Sequence, residues 1–267
     1  MTSANGGEGV GAVRLHRVVE GPEDAPVVVF GGSLGSDVRM WEPQVVPLLE
    51  RGFRVIRYDT RGHGASPVPP GPYDLDDLGA DFLTMLDDLE IERAHLVGLS
   101  LGGMTGMWLG VHAPDRIASL VLCCTSAKLG PPQMWADRAA TVRAEGTGAV
   151  ARPGVSRWLT PGYIERHPDR AAFLRAMIAG VPAEGYAACC GAIERMDLLD
   201  VLPKITAPTL VIAGADDPAT PPEGHADLIA AGIPGARLEV VADAAHLGNY
   251  EQPEEFTRLI LGHLEAM

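Results

Sequence analysis

Short β-branched runs alternate with helix-period stretches along most of this chain, and that alternation leaves few folds open. PVVVF (26–30), FRVIRYD (53–59), AHLVGLS (94–100), ASLVLCC (118–124), APTLVIAG (207–214) and ARLEVVA (236–242) read as strands. VRLHRVV (13–19) alternates and reads as an edge strand. Between them, residues 75–89, 101–112 and 256–264 carry apolar side chains at helical spacing. Strand, helix, strand, helix predicts an α/β fold, with a mostly parallel sheet covered by helices on both faces.

The rhythm breaks after residue 126. Residues 127–203 hold no convincing strand, are rich in Ala and Arg, and are punctuated by Pro and Gly. They keep an apolar periodicity of their own through Trp135, Val142, Trp158, Phe173, Leu174 and Met177. The reading is a core formed by residues 1–126 and 204–267, with 127–203 as a helical lid inserted into it. The opening MTSANGGEG is small, polar and glycine-rich, and is expected to fray.

One strand ends in a conspicuous way. Gly98-Leu99-Ser100-Leu101-Gly102 sets a serine between two glycines where a strand hands over to a helix. A serine there can be held in a tight turn with its hydroxyl clear of both elements, and the glycines leave room for close packing. The start of the following helix points N–H groups at the same place, which favours developing negative charge. Ser100 is therefore the candidate nucleophile.

A serine hydroxyl is a weak nucleophile unless a base takes its proton, and a third group must orient that base. The chain order expected here is serine, acid, histidine. Five histidines follow Ser100. His112 ends the helix after the serine, His167 lies in the insertion, His225 falls in a predicted helix, and His263 is near the C-terminus. His246 stands in a loop after the last strand, at the carboxyl end of the sheet, where α/β sites lie. It is the candidate base. GADDPATPP follows the preceding strand and offers Asp217, the preferred acid, with Asp216 as the fallback; Asp243 is too close to His246 along the chain. An oxyanion hole needs two backbone donors. Leu101 N–H is one, and GGSLGSD (31–37) supplies the other, Leu34 by position with Ser33 second. His63, in YDTRGHGAS (58–66), reads as part of a structural turn.

The formal charge of −14 argues against nucleic acid or an anionic membrane as partner. An anionic substrate would meet an unfavourable field and would need locally placed arginines. The insertion offers Arg138, Arg143 and Arg157; Arg138 shares a helix face with Trp135, and this pair is the contact expected for a substrate that carries a carboxylate. No signal peptide or apolar run of membrane length is evident, so a cytoplasmic protein is expected. The cysteines fall in two adjacent pairs, Cys123-Cys124 and Cys189-Cys190, without the spacing of a zinc or redox site. They read as core hydrophobes, and neither metal nor organic cofactor is expected. Oligomeric state is not fixed by the sequence.

Together these residues resemble the α/β-hydrolase superfamily, and within it the 3-oxoadipate enol-lactonases. The resemblance runs through SLGSDVRMWEPQ (33–44), YDTRGHGAS, GLSLGGM (98–104), WADRAATVRAEG (135–146), RWLTPGY (157–163), PAEGYAACCGAI (182–193) and AHLGNYEQP (245–253). The elbow and RGHG are generic to the superfamily, whereas the insertion motifs are more specific. The His-Gly common in the superfamily before the oxyanion loop is Gly32-Ser33 here, a departure the enol-lactonases share. The resemblance implies hydrolysis of 3-oxoadipate enol-lactone, a small lactone with one carboxylate, to 3-oxoadipate in the β-ketoadipate route of aromatic catabolism. Some relatives carry a fused decarboxylase domain, which is not expected here. The competing readings are a carboxylesterase or methylesterase, a cofactor-free perhydrolase, and a non-catalytic ligand-binding receptor on the same fold.

Overall fold

The computed structural model describes residues 11–267, so the expected fraying of residues 1–9 lies outside the described residues. Among these described residues seven strands form one sheet: β1 (Arg17–Glu20), β2 (Val27–Gly31), β3 (Arg54–Tyr58), β4 (Ala94–Leu99), β5 (Ile117–Cys123), β6 (Thr209–Gly214) and β7 (Arg237–Val241). Their order across the sheet is β1-β3-β2-β4-β5-β6-β7. Only β1 runs antiparallel, with Arg17 opposite Tyr58 at the edge. All the other pairs are parallel. Each expected strand is present, and the alternating run near the N-terminus forms the edge.

Among the described residues eleven α-helices accompany the sheet: α1 (Glu42–Glu50), α2 (Leu75–Asp88), α3 (Leu101–His112), α4 (Pro132–Glu145), α5 (Gly148–Trp158), α6 (Pro161–Arg166), α7 (Pro168–Ala179), α8 (Ala183–Arg195), α9 (Asp227–Gly232), α10 (Gly248–Glu251) and α11 (Pro253–Leu264). The start of α2 has a local cause. Asp74 accepts from the Asp77 N–H at 3.0 Å and Asp77 accepts from the Asp74 N–H at 3.1 Å, a reciprocal cap. Five helices, α4 to α8, stand between β5 and β6; α4 packs on α8 and α5 on α7.

Two local features differ from the sequence reading. Helix α1 went unread because EPQVVPLLE carries two prolines. Pro43 lies in the first turn, where a missing N–H costs little, and packing against β3 and α11 holds the rest around Pro47. His225 is not inside a regular helix. Glu223 and Gly224 take non-helical angles, α9 begins only at Asp227, and the His225 ring sits 2.8 Å from the Ser126 hydroxyl.

The sheet order explains where a site can form. The chain leaves β2 for β3 on one side and returns to place β4 on the other, so the order reverses between β2 and β4. Crevices open at such reversals, beyond the carboxyl ends of the strands. The loop after β2 and Ser100 after β4 flank this one. A buried ion pair fixes the neighbouring turn after β3. Arg61 is fully buried, with Nη2 2.7 Å and Nε 2.5 Å from the two Asp81 oxygens and Nη1 3.0 Å from Asp77. All four cysteines are buried free thiols. Among the described residues no single helix is long and apolar enough to cross a membrane; only α7 and α8 together reach that length, and they bend by 89°.

Candidate active site

Ser100 caps α3 with φ +55° and ψ −113°, a backbone conformation that L side chains rarely adopt. Its surroundings hold it there. The Ser100 N–H donates to the Cys123 carbonyl at 3.0 Å, and its own carbonyl accepts from the Thr125 hydroxyl at 2.7 Å. The two flanking glycines are clearances against specific atoms. A Cβ on Gly98 would run into the Gly102 carbonyl, and one on Gly102 would run into the Gly31 carbonyl. The elbow is thus pressed against the loop after β2, with the Gly102 N–H donating to the Gly32 carbonyl at 3.0 Å.

In that loop the N–H groups around Leu34 are already committed. The Ser33 N–H points at the Met40 sulfur at 3.3 Å, the Gly35 N–H donates to His63 Nε2 at 2.9 Å, and the Ser36 N–H donates to the Ser33 carbonyl at 3.0 Å. The Leu34 N–H has no such acceptor among the described residues, and Leu34 and Ser100 line the same cavity. The Leu101 N–H is the first of α3, where the helix supplies no acceptor. Of the two loop candidates, Leu34 therefore has the freer N–H.

Asp217 and His246 come together. His246 Nδ1 lies 2.8 Å from Asp217 Oδ2, and both side chains are buried. Asp217 also accepts from the Ala219 N–H at 2.8 Å, the Thr220 N–H at 3.1 Å and the Thr220 hydroxyl at 2.7 Å. Burial disfavours the charged carboxylate, but His246 and these donors outweigh it, so Asp217 titrates below the ordinary range. An ionised Asp217 accepts from Nδ1–H, which leaves His246 Nε2 as the free base. Asp216 and Asp243 are exposed and take no part. The role of Thr220 went unread; an Asp whose carboxylate accepts the N–H groups two and three residues on is a recognisable turn signal.

Ser100, His246, Ser33 and Leu34 line one cavity of about 150 Å³, open to solvent. The insertion supplies much of the remaining wall: Trp135, Arg138, Arg157, Trp158, Ile178 and Tyr186. Arg138 and Trp135 do share a face, the guanidinium carbon lying 4.5 Å from the indole centroid. Arg143 is spent elsewhere, on Glu184 at 2.8 Å. Arg157, one of the alternatives, lines the cavity beside Arg138. Neither Arg138 nor Arg157 forms an ion pair with a carboxylate among the described residues. Burial, reinforced by Arg138, pushes the Arg157 pKa down.

His63 is fully buried, with Nδ1 3.3 Å from the Arg61 carbonyl and Nε2 accepting from Gly35. Burial lowers its pKa from 6.5 to about 4, so it stays neutral and keeps that acceptor. An unfolded histidine titrates near 6.5, so between 6.5 and about 4 the unfolded chain binds more protons than the folded one. Stability falls as pH drops through that window, by roughly 3 kcal/mol from this residue. Urea midpoints followed from pH 7 to pH 4 should show the fall, and a folded His63→Gln variant should show less of it. An equal fall in both would remove His63 as its source.

A parallel sheet that ends its central strand in a strained serine defines a class of hydrolases. Residues 25–253 match the alpha/beta hydrolase fold family, and the chain belongs to it. Within that family, 3-oxoadipate enol-lactonase 2 of Acinetobacter baylyi is 41% identical over 248 residues, 93% of this chain and 92% of its own. The crystal structure of the enol-lactonase from Burkholderia xenovorans LB400 superposes with a TM-score of 0.91 at 42% identity, covering 94% of this chain and 96% of that one. A protein named for carbamate hydrolysis in Variovorax paradoxus is 33% identical over 94% of this chain and 96% of its own.

Proposed function

We propose that this protein hydrolyses 3-oxoadipate enol-lactone to 3-oxoadipate, a step of the β-ketoadipate route. The observation that carries the substrate reading is the pair of guanidiniums, Arg138 and Arg157, unpaired in the cavity that holds Ser100 and His246. In a chain of net charge −14, cations without carboxylate partners fit an anionic ligand. The enol-lactonase names among the relatives support the same substrate. The segment 127–203 acts as a lid that selects the ester. Four buried free thiols suit a reducing compartment and support a cytoplasmic location.

Ser100 Oγ attacks the lactone carbonyl as His246 Nε2 takes its proton, and Asp217 stabilises the resulting imidazolium. The N–H groups of Leu34 and Leu101 hold the oxyanion. Collapse breaks the ring C–O bond. The leaving group is an enolate, better than an alkoxide, and it takes up the proton held by the His246 imidazolium, which restores the neutral base. It stays tethered to the acyl group, and conversion to the ketone prevents it from re-closing the ring. His246 then activates water, which releases the acid and restores Ser100. Arg138 and Arg157 hold the substrate carboxylate, with Trp135 against the ring. None of these steps calls on a cofactor.

The test is loss of ultraviolet absorbance from freshly generated enol-lactone, with p-nitrophenyl acetate in parallel. Arg138→Ala and Arg157→Ala should each raise the lactone KM by about 10- to 100-fold, the range for a lost charge-assisted hydrogen bond. Turnover of the neutral ester should change little. Turnover of p-nitrophenyl acetate with none of the lactone would return the protein to the general carboxylesterases.

A further inference from the structure

Two motifs keep residues without a role beyond Arg157 and His246, RWLTPGY from the insertion and AHLGNYEQP around the candidate base, and the fold joins them. The peptide N–H groups on either side of His246 are both held. The Leu247 N–H donates to the Trp158 carbonyl at 2.8 Å, and the Ala245 N–H donates to Glu251 Oε2 at 2.6 Å. The other Glu251 oxygen accepts from the Thr160 N–H at 2.8 Å and from the Thr160 hydroxyl at 2.7 Å. The Tyr163 hydroxyl adds a longer bond, donating to the Tyr250 carbonyl at 3.3 Å.

These contacts converge on one place. Trp158 ends α5, Thr160 caps α6, and Arg157 and Trp158 line the active cavity. Glu251 is buried, 7% exposed, and has no Lys or Arg ion-pair partner among the described residues; three hydrogen bonds from backbone and hydroxyl donors hold it instead. A buried carboxylate without a cation is costly. Its donors come from two segments more than eighty residues apart in the chain, and it grips both.

We propose that Glu251 is a positioning residue that fixes the His246 loop to the α5–α6 turn. The base and the wall that carries Arg157 are then held as one unit. The distance between the proton acceptor and the bound carboxylate of the substrate is set by this side chain. The inference rests on the reading of His246 as base and of Arg157 as anion holder.

The test is Glu251→Gln, which keeps the shape but turns an amide N–H₂ toward one of the N–H donors. Three readouts separate the possibilities: the rate of Ser100 labelling by diisopropyl fluorophosphate, kcat on p-nitrophenyl acetate, and KM for the enol-lactone. A displaced base should slow labelling and lower kcat by about 10- to 100-fold, the scale of an ångström-sized misplacement. The displaced turn should also raise the lactone KM several-fold. Thr160→Val removes one donor and should move all three readouts less, in the same direction. Added to Glu251→Gln it should cost almost nothing more, because both act through one link. If Glu251→Gln does not fold, Thr160→Val alone carries the test. Folded variants within twofold of the wild type in all three readouts would overturn the proposal, as would full additivity. A wild type that labels but ignores the lactone would sink the substrate reading while leaving Glu251 testable by labelling. A wild type inert to the label would sink the triad reading and this inference with it.

Discussion

Ser100→Ala is expected to lower ester turnover by at least about 10⁴-fold, because on the proposed mechanism it removes the nucleophile of a triad that works as a unit. The protein should remain folded. Alanine places its Cβ where serine already has one, at the same φ of +55°, so the substitution adds no backbone strain. The Leu34 and Leu101 N–H groups are backbone groups and survive, so ligand binding should persist while turnover stops. The measurement is kcat/KM on the lactone and on p-nitrophenyl acetate, with a thermal midpoint alongside. A variant that retained a tenth of the activity would move the nucleophile elsewhere, and Ser33 in the same cavity would be the next hydroxyl to remove. A receptor on this fold, by contrast, would keep its binding and have no turnover to lose.

The largest loss of stability is expected at a site that touches no substrate. Asp81→Ala should destabilise the fold by about 3–5 kcal/mol, the usual cost of leaving a buried charge without its partner. Arg61 is fully buried and Asp81 is 1% exposed, and Asp81 also accepts from the Val13 N–H at 2.6 Å. Asp77, 3.0 Å from the guanidinium, keeps part of the charge compensated. Urea denaturation at neutral pH gives the number, and a change below 1 kcal/mol would show that water or Asp77 takes over. Activity should fall as well, because the turn that Arg61 anchors carries His63, and His63 holds the loop of Leu34.

What the sequence disclosed follows from the range of each signal. Strands declare themselves by local periodicity, and the elbow by glycines two residues from a serine, so both were legible. The choice between Asp216 and Asp217 could be framed but not decided locally, since it turns on which side chain is buried beside a histidine 29 residues away. The arginines of the insertion are visible as residue types, but their directions are not. Arg143 is taken by Glu184, 41 positions on, and nothing in the local pattern announces that pair. Glu251 has no role that its local sequence announces, because its partner Thr160 lies 91 residues upstream. Helix α1 was hidden by a proline that tertiary packing tolerates.

The strand order has a practical corollary for recombination. The five helices between β5 and β6 contribute nothing to the sheet, so a donor segment could replace them without disturbing a single strand pairing. The natural crossover points, however, are not where the secondary structure changes. A graft that exchanges α8 must keep an acceptor for the Tyr73 N–H, which the Ala188 carbonyl supplies, and one that cuts through 158–163 parts the Trp158 carbonyl from the Leu247 N–H and Thr160 from Glu251. A chimaera would need to inherit both short stretches from the same parent, and the remaining length of the insertion is where new ester preferences can be shuffled in.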